Sequence, residues 1–262
     1  MLPQLKIELM KLKYFALLFV ILVTSCATKK EILYLQDANE NSQNEINFQY
    51  TTIQPNDILK IDVETLVPEA AIPYNKSGQG QIQQSSLLLI QLDGYLVSNE
   101  GEIYFPILGN INVSNLTVNE AEEEIKNQLI DGGHLKNPNV NVRIINAKVT
   151  ILGEVKNPGT FNFTEQNITI LQALGYAGDL TINGKREDVI LTRDVDGVKV
   201  ITHIDLTNTD FMNSEFFYIK PNDTIIVNPN GPKVKSAGYI GNLGTLLGVF
   251  SILLSTTILL TR

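Results

Sequence analysis

The segment Ile53-Gln54-Pro55-Asn56-Asp57-Ile58-Leu59-Lys60-Ile61 returns near the other end of the chain as Ile219-Lys220-Pro221-Asn222-Asp223-Thr224-Ile225-Ile226-Val227. Proline fixes the backbone, asparagine tolerates the left-handed conformation and aspartate accepts hydrogen bonds from nearby backbone, so Pro55-Asn56-Asp57 and Pro221-Asn222-Asp223 are predicted turns. The apolar residues that follow predict a strand after each turn. A duplicated active site is the competing interpretation, but a Pro-Asn-Asp segment more often makes a turn.

Residues 49–147 are predicted to form the first of two small mixed domains. Thr117 and Glu120 have the spacing of a capping box and predict a helix over Val118–Leu129. Strands are predicted at Tyr95–Val97, Ile103–Phe105 and Val140–Ile144. Residues 66–86, rich in Pro, Gly, Gln and Ser, are predicted to be a long exposed loop.

Residues 148–230 are predicted to form the second domain. Its first strand, Val149–Val155, breaks at the turn Asn157-Pro158-Gly159, and a short helix over Ile168–Tyr176 follows, with Asn167 as its N-cap. The pair Asp196-Gly197 predicts a hairpin, and Thr224–Val227 is the final strand. This order of elements is typical of a β-grasp domain, so the predicted fold class is α+β.

The N-terminus has the pattern of a lipoprotein signal peptide. Ten uncharged, mostly apolar residues, Tyr14–Val23, follow Lys13, which is too short for a membrane span and suits a signal-peptide core. Val23-Thr24-Ser25-Cys26 ends the run and contains the only cysteine of the chain. We therefore expect residues 1–25 to be removed, Cys26 to be acylated, for example by palmitate, and residues 26–48 to be a polar tether. An ordinary secretory signal is the alternative.

The C-terminus is predicted to contain a transmembrane helix. Ala237–Leu260 is a run of 24 residues without a charge, and as a helix it would be about 36 Å long, enough to cross a bilayer. Small residues that allow close packing of helices in lipid recur along one stripe of it: Gly241, Gly244, Gly248, Ser251 and Ser255. The alternatives are a lone tail anchor and a helix of the inner membrane.

The composition excludes several functions. The net charge of −8 disfavours a nucleic-acid binder, and one cysteine with two histidines leaves little for a metal site or a Cys/His nucleophile. His134 and His203 are isolated in sequence, the run Glu122–Glu124 fits a helix face, and Asp194 and Asp196 flank a turn. A glycosidase needs two carboxylates that face each other across a sugar, and no such pair is indicated. We therefore predict no catalytic residues, no metal and no cofactor.

A set of motifs in the middle of the chain resembles a known family. The motifs run from Ile53-x-Pro55-Asn56-Asp57 through Gly101-x-Ile103-x-x-Pro106-x-x-Gly109-x-Ile111-x-Val113 to Pro138-x-Val140-x-Val142. They resemble those of the bacterial polysaccharide biosynthesis/export family of outer-membrane lipoproteins. Residues 148–229 resemble the soluble-ligand-binding β-grasp (SLBB) domain that follows in that family, through Val149-x-Ile151-x-Gly153-x-Val155-x-x-Pro158-Gly159 and Pro221-x-Asp223.

The resemblance implies an oligomeric channel component that exports capsular or exopolysaccharide across the outer membrane of a Gram-negative cell. It implies a homo-oligomeric ring, eight subunits by resemblance, with a lipid-anchored body in the periplasm. The implied partners are the polysaccharide cargo, membrane lipid and an inner-membrane polysaccharide copolymerase or tyrosine kinase. A monomeric ligand-binding envelope lipoprotein with a C-terminal membrane anchor is the alternative.

Overall fold

A computed structural model describes residues 32–38, 50–76, 91–195, 197–237 and 243–261. The predicted signal peptide, Cys26 and Gly241 lie outside these residues. The described chain forms two α+β domains, each with its own apolar core.

The first domain contains a three-stranded antiparallel sheet in the order β2-β1-β5 and a separate hairpin of β3 and β4. Its elements, in chain order, are β1 (Ile58–Glu64), α1 (Pro68–Ala71), β2 (Tyr95–Leu96), β3 (Glu102–Phe105), β4 (Gly109–Asn112), α2 (Val118–Asp131) and β5 (Asn139–Ile144).

Apolar periodicity accounts for this core. Leu59, Ile61 and Val63 alternate along β1 and are buried, so the other face of that strand is left to polar side chains. The buried stripe of α2 consists of Val118, Ala121, Ile125 and Leu129, and the capping box of Thr117 and Glu120 is formed as predicted. The helix and the sheet therefore close over one core.

The segment that follows β1 differs from the predicted exposed loop. Helix α1 and a 3₁₀ turn at Ile72–Tyr74 occupy its first part, and Ala71 and Tyr74 are buried. The Asn75 side chain receives a hydrogen bond from the Val63 backbone and donates to the carbonyls of Val63 and Ala71. The two bonds to Val63 fix the segment on β1 and the third holds it together, which composition alone does not indicate.

The second domain contains a five-stranded sheet in the order β10-β9-β12-β6-β7, in which only the β6–β12 pair is parallel. Its elements are β6 (Lys148–Gly153), β7 (Gly159–Asn162), β8 (Ile168–Thr169), α3 (Ile170–Tyr176), β9 (Gly184–Val195), β10 (Val198–Ile204), β11 (Tyr218–Ile219) and β12 (Thr224–Pro229). Strands β8 and β11 pair separately. The order of these elements agrees with the β-grasp prediction.

The predicted N-cap of the second-domain helix was wrong. Residues Ile168 and Thr169 pair with β11, so the helix begins two residues later than predicted. Thr169 caps it and forms a capping box with Gln172. Strand pairing therefore placed the N-cap at Thr169, although asparagine is the better N-cap residue by intrinsic preference.

Residues 32–38 of the predicted tether pack on the second domain. The backbone amides of Leu35 and Gln36 donate to the carbonyls of Leu206 and Thr207, at 3.2 and 2.6 Å. The Tyr34 ring lies under the Arg186 guanidinium, 5.0 Å from its carbon to the ring centroid. The Tyr34 hydroxyl donates to Asp179, and burial together with this carboxylate raises the tyrosine pKa above its usual range.

The helix predicted over Ala237–Leu260 is described only from Leu243 onward, because residues 238–242 lie outside the described residues. Asn230 caps a short helix α4 (Gly231–Ser236), and helix α5 (Leu243–Thr261) has 19 residues, about 28 Å of rise. Among the described residues, no helix combines the length and the apolar character needed to cross a membrane. The predicted transmembrane helix is therefore not supported.

Candidate functional site

The two Pro-Asn-Asp turns have the same local geometry. Asn56 and Asn222 have φ angles of 71° and 68°, the left-handed conformation that asparagine tolerates. The Asp57 carboxylate accepts from the Gln54 amide at 2.9 Å, and the Asp223 carboxylate accepts from the Lys220 amide at 2.8 Å. Each aspartate therefore closes the turn that introduces its strand.

The structure brings both turns to the linker between the domains. Asn146 donates to the Asn56 carbonyl at 2.9 Å and accepts from the Ile58 amide at 2.8 Å. On the other side, the Asn222 amide donates to the Lys148 carbonyl at 2.7 Å. The repeated segment thus attaches each domain to the same short stretch of chain, a placement that the sequence alone does not reveal.

The two aspartates differ in charge compensation, although each is 1% exposed. Arg193 forms an ion pair with Asp223, with 2.7 Å between Nη2 and Oδ2. Burial raises the pKa of Asp223, and the guanidinium opposes that shift. Asp57 has no such cation: its Oδ1 accepts no hydrogen bond from the described residues, and burial raises its pKa to about 6.

We expect Asp57 to make the first domain less stable as the pH rises from about 4 to about 6. The pKa of Asp57 is raised from 3.8 to about 6 on folding, so the folded chain binds the proton more tightly than the unfolded chain. The resulting stabilisation is complete at pH values below the pKa of Asp57 in the unfolded chain. It is lost as the pH rises through the pKa of Asp57 in the folded chain. It amounts to about 3 kcal/mol.

Equilibrium unfolding of the wild type and Asp57→Asn at several pH values tests this expectation. The free energy of unfolding of the variant relative to wild type should rise by about 3 kcal/mol between about pH 3.5 and about pH 7. Other titrating groups cancel in this difference. A difference that stays constant over the range would show that Asp57 titrates normally.

The remaining predicted site residues lie away from the linker. Pro158 and Gly159 mark the start of edge strand β7. Gly244, Gly248, Ser251 and Ser255 lie on α5, where a Cβ added to Gly248 would meet nothing within 4 Å and the Ser255 hydroxyl donates to the Ser251 carbonyl at 2.8 Å. The structure does not bring these two groups into one site.

The carboxylates considered for glycoside hydrolysis are engaged in separate contacts. Glu122 accepts from the Val142 amide at 2.9 Å, and Glu123 forms an ion pair with Lys126. Asp194 pairs with Lys199, and His203 pairs with Asp188. Among the described residues, no group of histidine, cysteine, aspartate and glutamate side chains is arranged to hold a metal ion.

A polar groove lies on the outer face of the β1–β5 pair. Three cross-strand pairs cover its floor, Lys60 with Arg143, Asp62 with Asn141 and Glu64 with Asn139. Ile145 and Thr164 close the end of the groove next to the second domain, and its volume is about 620 Å³. The groove thus has the size of a small-molecule site.

A second cavity at the domain junction is much smaller. It has a volume of about 60 Å³ and is lined by both domains, including Val118, Phe163 and Pro221. It shares Arg143, Ile144 and Thr164 with the groove. Of these two cavities in the described part of the chain, the groove is the one large enough for a sugar residue, so it is the candidate binding site.

Sequence analysis did not identify the groove, although a signal was present. Polar residues alternate with buried apolar ones along both strands, at positions 60, 62 and 64 and at positions 139, 141 and 143. Period-2 alternation predicts a polar outer face for each strand separately. The missing information was the pairing of β1 with β5, which places the two polar rows side by side.

Comparison with known protein families matches both domains. The family model for polysaccharide biosynthesis/export protein matches residues 47–145, and the SLBB domain model matches residues 148–202. Residues 47–145 are therefore similar to the polysaccharide export family, and residues 148–202 are similar to the SLBB domain. The first match covers the whole core of the first domain, and the second ends within β10 while the folded domain continues to β12.

Two curated relatives share the family. They are EPS I polysaccharide export outer membrane proteins EpsA from Ralstonia nicotianae and Ralstonia solanacearum, 36% and 34% identical to this chain over 106 and 104 residues. The matches cover 39% and 38% of this chain and 27% of each relative. The similarity therefore spans about a quarter of the length of these relatives.

Proposed function

We propose that this protein is a component of a polysaccharide export system of the outer membrane and that it transports its cargo without catalysis. The observation that carries the proposal is the succession of an export domain and an SLBB domain, each matched by its family model. The names of both curated relatives, which specify polysaccharide export and the outer membrane, support it.

We further propose that several copies assemble into a ring whose bodies lie in the periplasm. Two open edge strands, β7 and β10, bound the five-stranded sheet of each copy, and the small residues of α5 are the proposed packing surface between copies. A copolymerase or tyrosine kinase of the inner membrane would deliver capsular or exopolysaccharide to the ring.

Deletion of the gene and complementation test the transport function. Secreted polymer should fall to background in the deletion strain, with polymer retained in the cell envelope, and the wild-type chain should restore secretion. Normal secretion without the protein, in a strain with no second copy of the gene, would contradict the proposal.

Size in mild detergent separates the ring from the alternative, a monomeric ligand-binding lipoprotein. Native mass spectrometry should give one assembly whose mass is a whole-number multiple of the mass of the acylated chain. Electron micrographs should show a hollow ring. A monomer at concentrations well above those in the cell would favour the ligand-binding alternative.

We expect Cys26 to carry the lipid that holds the protein on the outer membrane. The change Cys26→Ser removes the thiol that accepts the lipid, so unprocessed precursor should accumulate in the inner membrane. Mass spectrometry of the N-terminal peptide measures both processing and acylation. The matched variant Ser25→Ala keeps a small residue before the cysteine and should be processed normally. An unmodified Cys26 in the mature wild-type protein would contradict the lipid anchor.

A further inference from the structure

The polar groove on the β1–β5 pair has a cationic end and an anionic end. Lys60 and Arg143 lie directly opposite each other at the end next to the second domain, and Glu64 and Asn139 lie opposite each other at the far end. Four residues of strand separate the two ends, which corresponds to about 14 Å. A ligand along the groove therefore meets different charges at its two ends.

The Arg143 side chain is available for an anion. Lys60 is held by Asp62, with 2.6 Å between Nζ and Oδ2. Within the described part of the chain, Arg143 forms no ion pair, and its side chain donates one hydrogen bond, from Nε to Asn141 Oδ1 at 3.2 Å. Arg143 is therefore the cation of this pair whose charge no carboxylate of the described residues compensates, and an anionic ligand at this end would compensate it.

The chemistry of the groove suits an anionic group carried by a sugar chain. A guanidinium binds a carboxylate through two parallel hydrogen bonds, which gives orientation as well as charge. The amides of Asn139 and Asn141 supply donors and acceptors together, and this combination suits sugar hydroxyls. Asp62 and Glu64 disfavour a second anion further along the groove.

We propose that this groove binds an acidic polysaccharide, with the carboxylate of a hexuronic acid on Arg143 and the hydroxyls of neighbouring neutral sugars on Asn141 and Asn139. This inference rests on the proposed export function, because it names the substrate class. All the groups involved are solvent-exposed, so binding is weak and screened by salt, as a conduit that must release its cargo requires.

Titration of the full-length protein in mild detergent with two tetrasaccharides tests the assignment. Hyaluronan tetrasaccharide alternates a hexuronic acid with a neutral sugar, and cellotetraose is neutral throughout. We expect the wild type to bind the hyaluronan fragment at least tenfold more tightly than cellotetraose. Arg143→Gln should abolish that preference. Arg143→Lys keeps the charge but cannot form two parallel hydrogen bonds, so it should retain part of the preference.

Lys199→Gln is the matched control, because Lys199 is an exposed cation on the hairpin of the second domain; it should leave both affinities unchanged. Equal binding of the two tetrasaccharides, no binding of the hyaluronan fragment, or unchanged affinity in Arg143→Gln would each overturn the assignment. If one of these results is found and the wild-type chain still restores polymer secretion, the groove assignment fails and the export function stands. If the wild-type chain does not restore secretion in the deletion strain, that result contradicts the export function.

Discussion

Replacement of Arg193 by methionine is expected to lower the free energy of unfolding by about 3–5 kcal/mol. Arg193 and Asp223 have side chains that are only 4% and 1% exposed. The guanidinium also donates to the Tyr218 carbonyl at 2.7 Å. Methionine fills similar space but leaves the Asp223 carboxylate buried without its cation, and this uncompensated charge is the source of the loss. Chemical denaturation followed by circular dichroism measures it.

Two further variants isolate the contribution of burial. Lys199→Met removes an ion pair of similar length, 2.7 Å to Asp194, whose side chains are 64% and 69% exposed; its cost should be below about 1 kcal/mol. Adding Asp223→Asn to Arg193→Met removes the uncompensated buried charge and keeps an acceptor for the Lys220 amide. Part of the lost free energy of unfolding should therefore be recovered. Equal costs for Arg193→Met and Lys199→Met would contradict the argument.

Replacement of Gly153 by alanine is expected to disrupt the centre of the second domain, at a cost of about 3–5 kcal/mol. Gly153 ends β6 with a φ angle of 91°, a conformation that other residues rarely adopt. An added Cβ would overlap the carbonyl oxygen of Val227, the residue opposite it in the parallel pair. That oxygen accepts from the Glu154 amide at 2.9 Å, so the shift needed to relieve the overlap also breaks the ladder.

Gly175→Ala provides the contrast within the same domain. Gly175 lies in α3, has no positive φ, and a Cβ added there would meet nothing within 4 Å. Alanine should therefore stabilise the helix by up to about 1 kcal/mol. Hydrogen exchange locates the effect of Gly153→Ala: amides of β12 should lose protection, while those of α2 in the first domain should keep it. Equal exchange in the variant and the wild type would show that the strands accommodate the methyl group.

Local periodicity predicted the elements whose stabilisation is mostly local. The apolar stripe of α2, its capping box and the alternation along β1 are read directly from residues a few positions apart. The hairpin of β9 and β10 follows from an Asp-Gly pair between two apolar runs, and Val195 pairs with Val198 as such a turn requires.

Contacts between distant parts of the chain were not predictable in the same way. Tyr95–Val97 and Ile103–Phe105 were predicted as short strands, but their partners were not: β2 pairs with β1, and β3 pairs with β4. Arg193 follows Val189 and Leu191 at period 2 on the buried face of β9, so its burial was visible in the sequence. Its partner Asp223 lies on the turn before another strand, and only the β9–β12 pairing brings the two together.

The C-terminal prediction depended on a single continuous helix. An uncharged run of 24 residues favours that interpretation, but among the described residues Asn230 caps a short helix, Gly231–Ser236, that begins before the run. A capping side chain outside the run therefore starts a helix at residues that the uncharged run does not cover. Hydropathy alone does not contain this information.

If Cys26 carries a lipid, the docking of Tyr34 on Arg186 and Asp179 limits how far the second domain can lie from the membrane. Eight peptide units separate Cys26 from Tyr34, and a fully extended chain of that length reaches about 28 Å. A lipid on Cys26 would therefore be joined to the second domain by a short segment of chain, because the residues around Tyr34 are already docked on that domain. The second domain would then lie within about one domain diameter of the lipid headgroups.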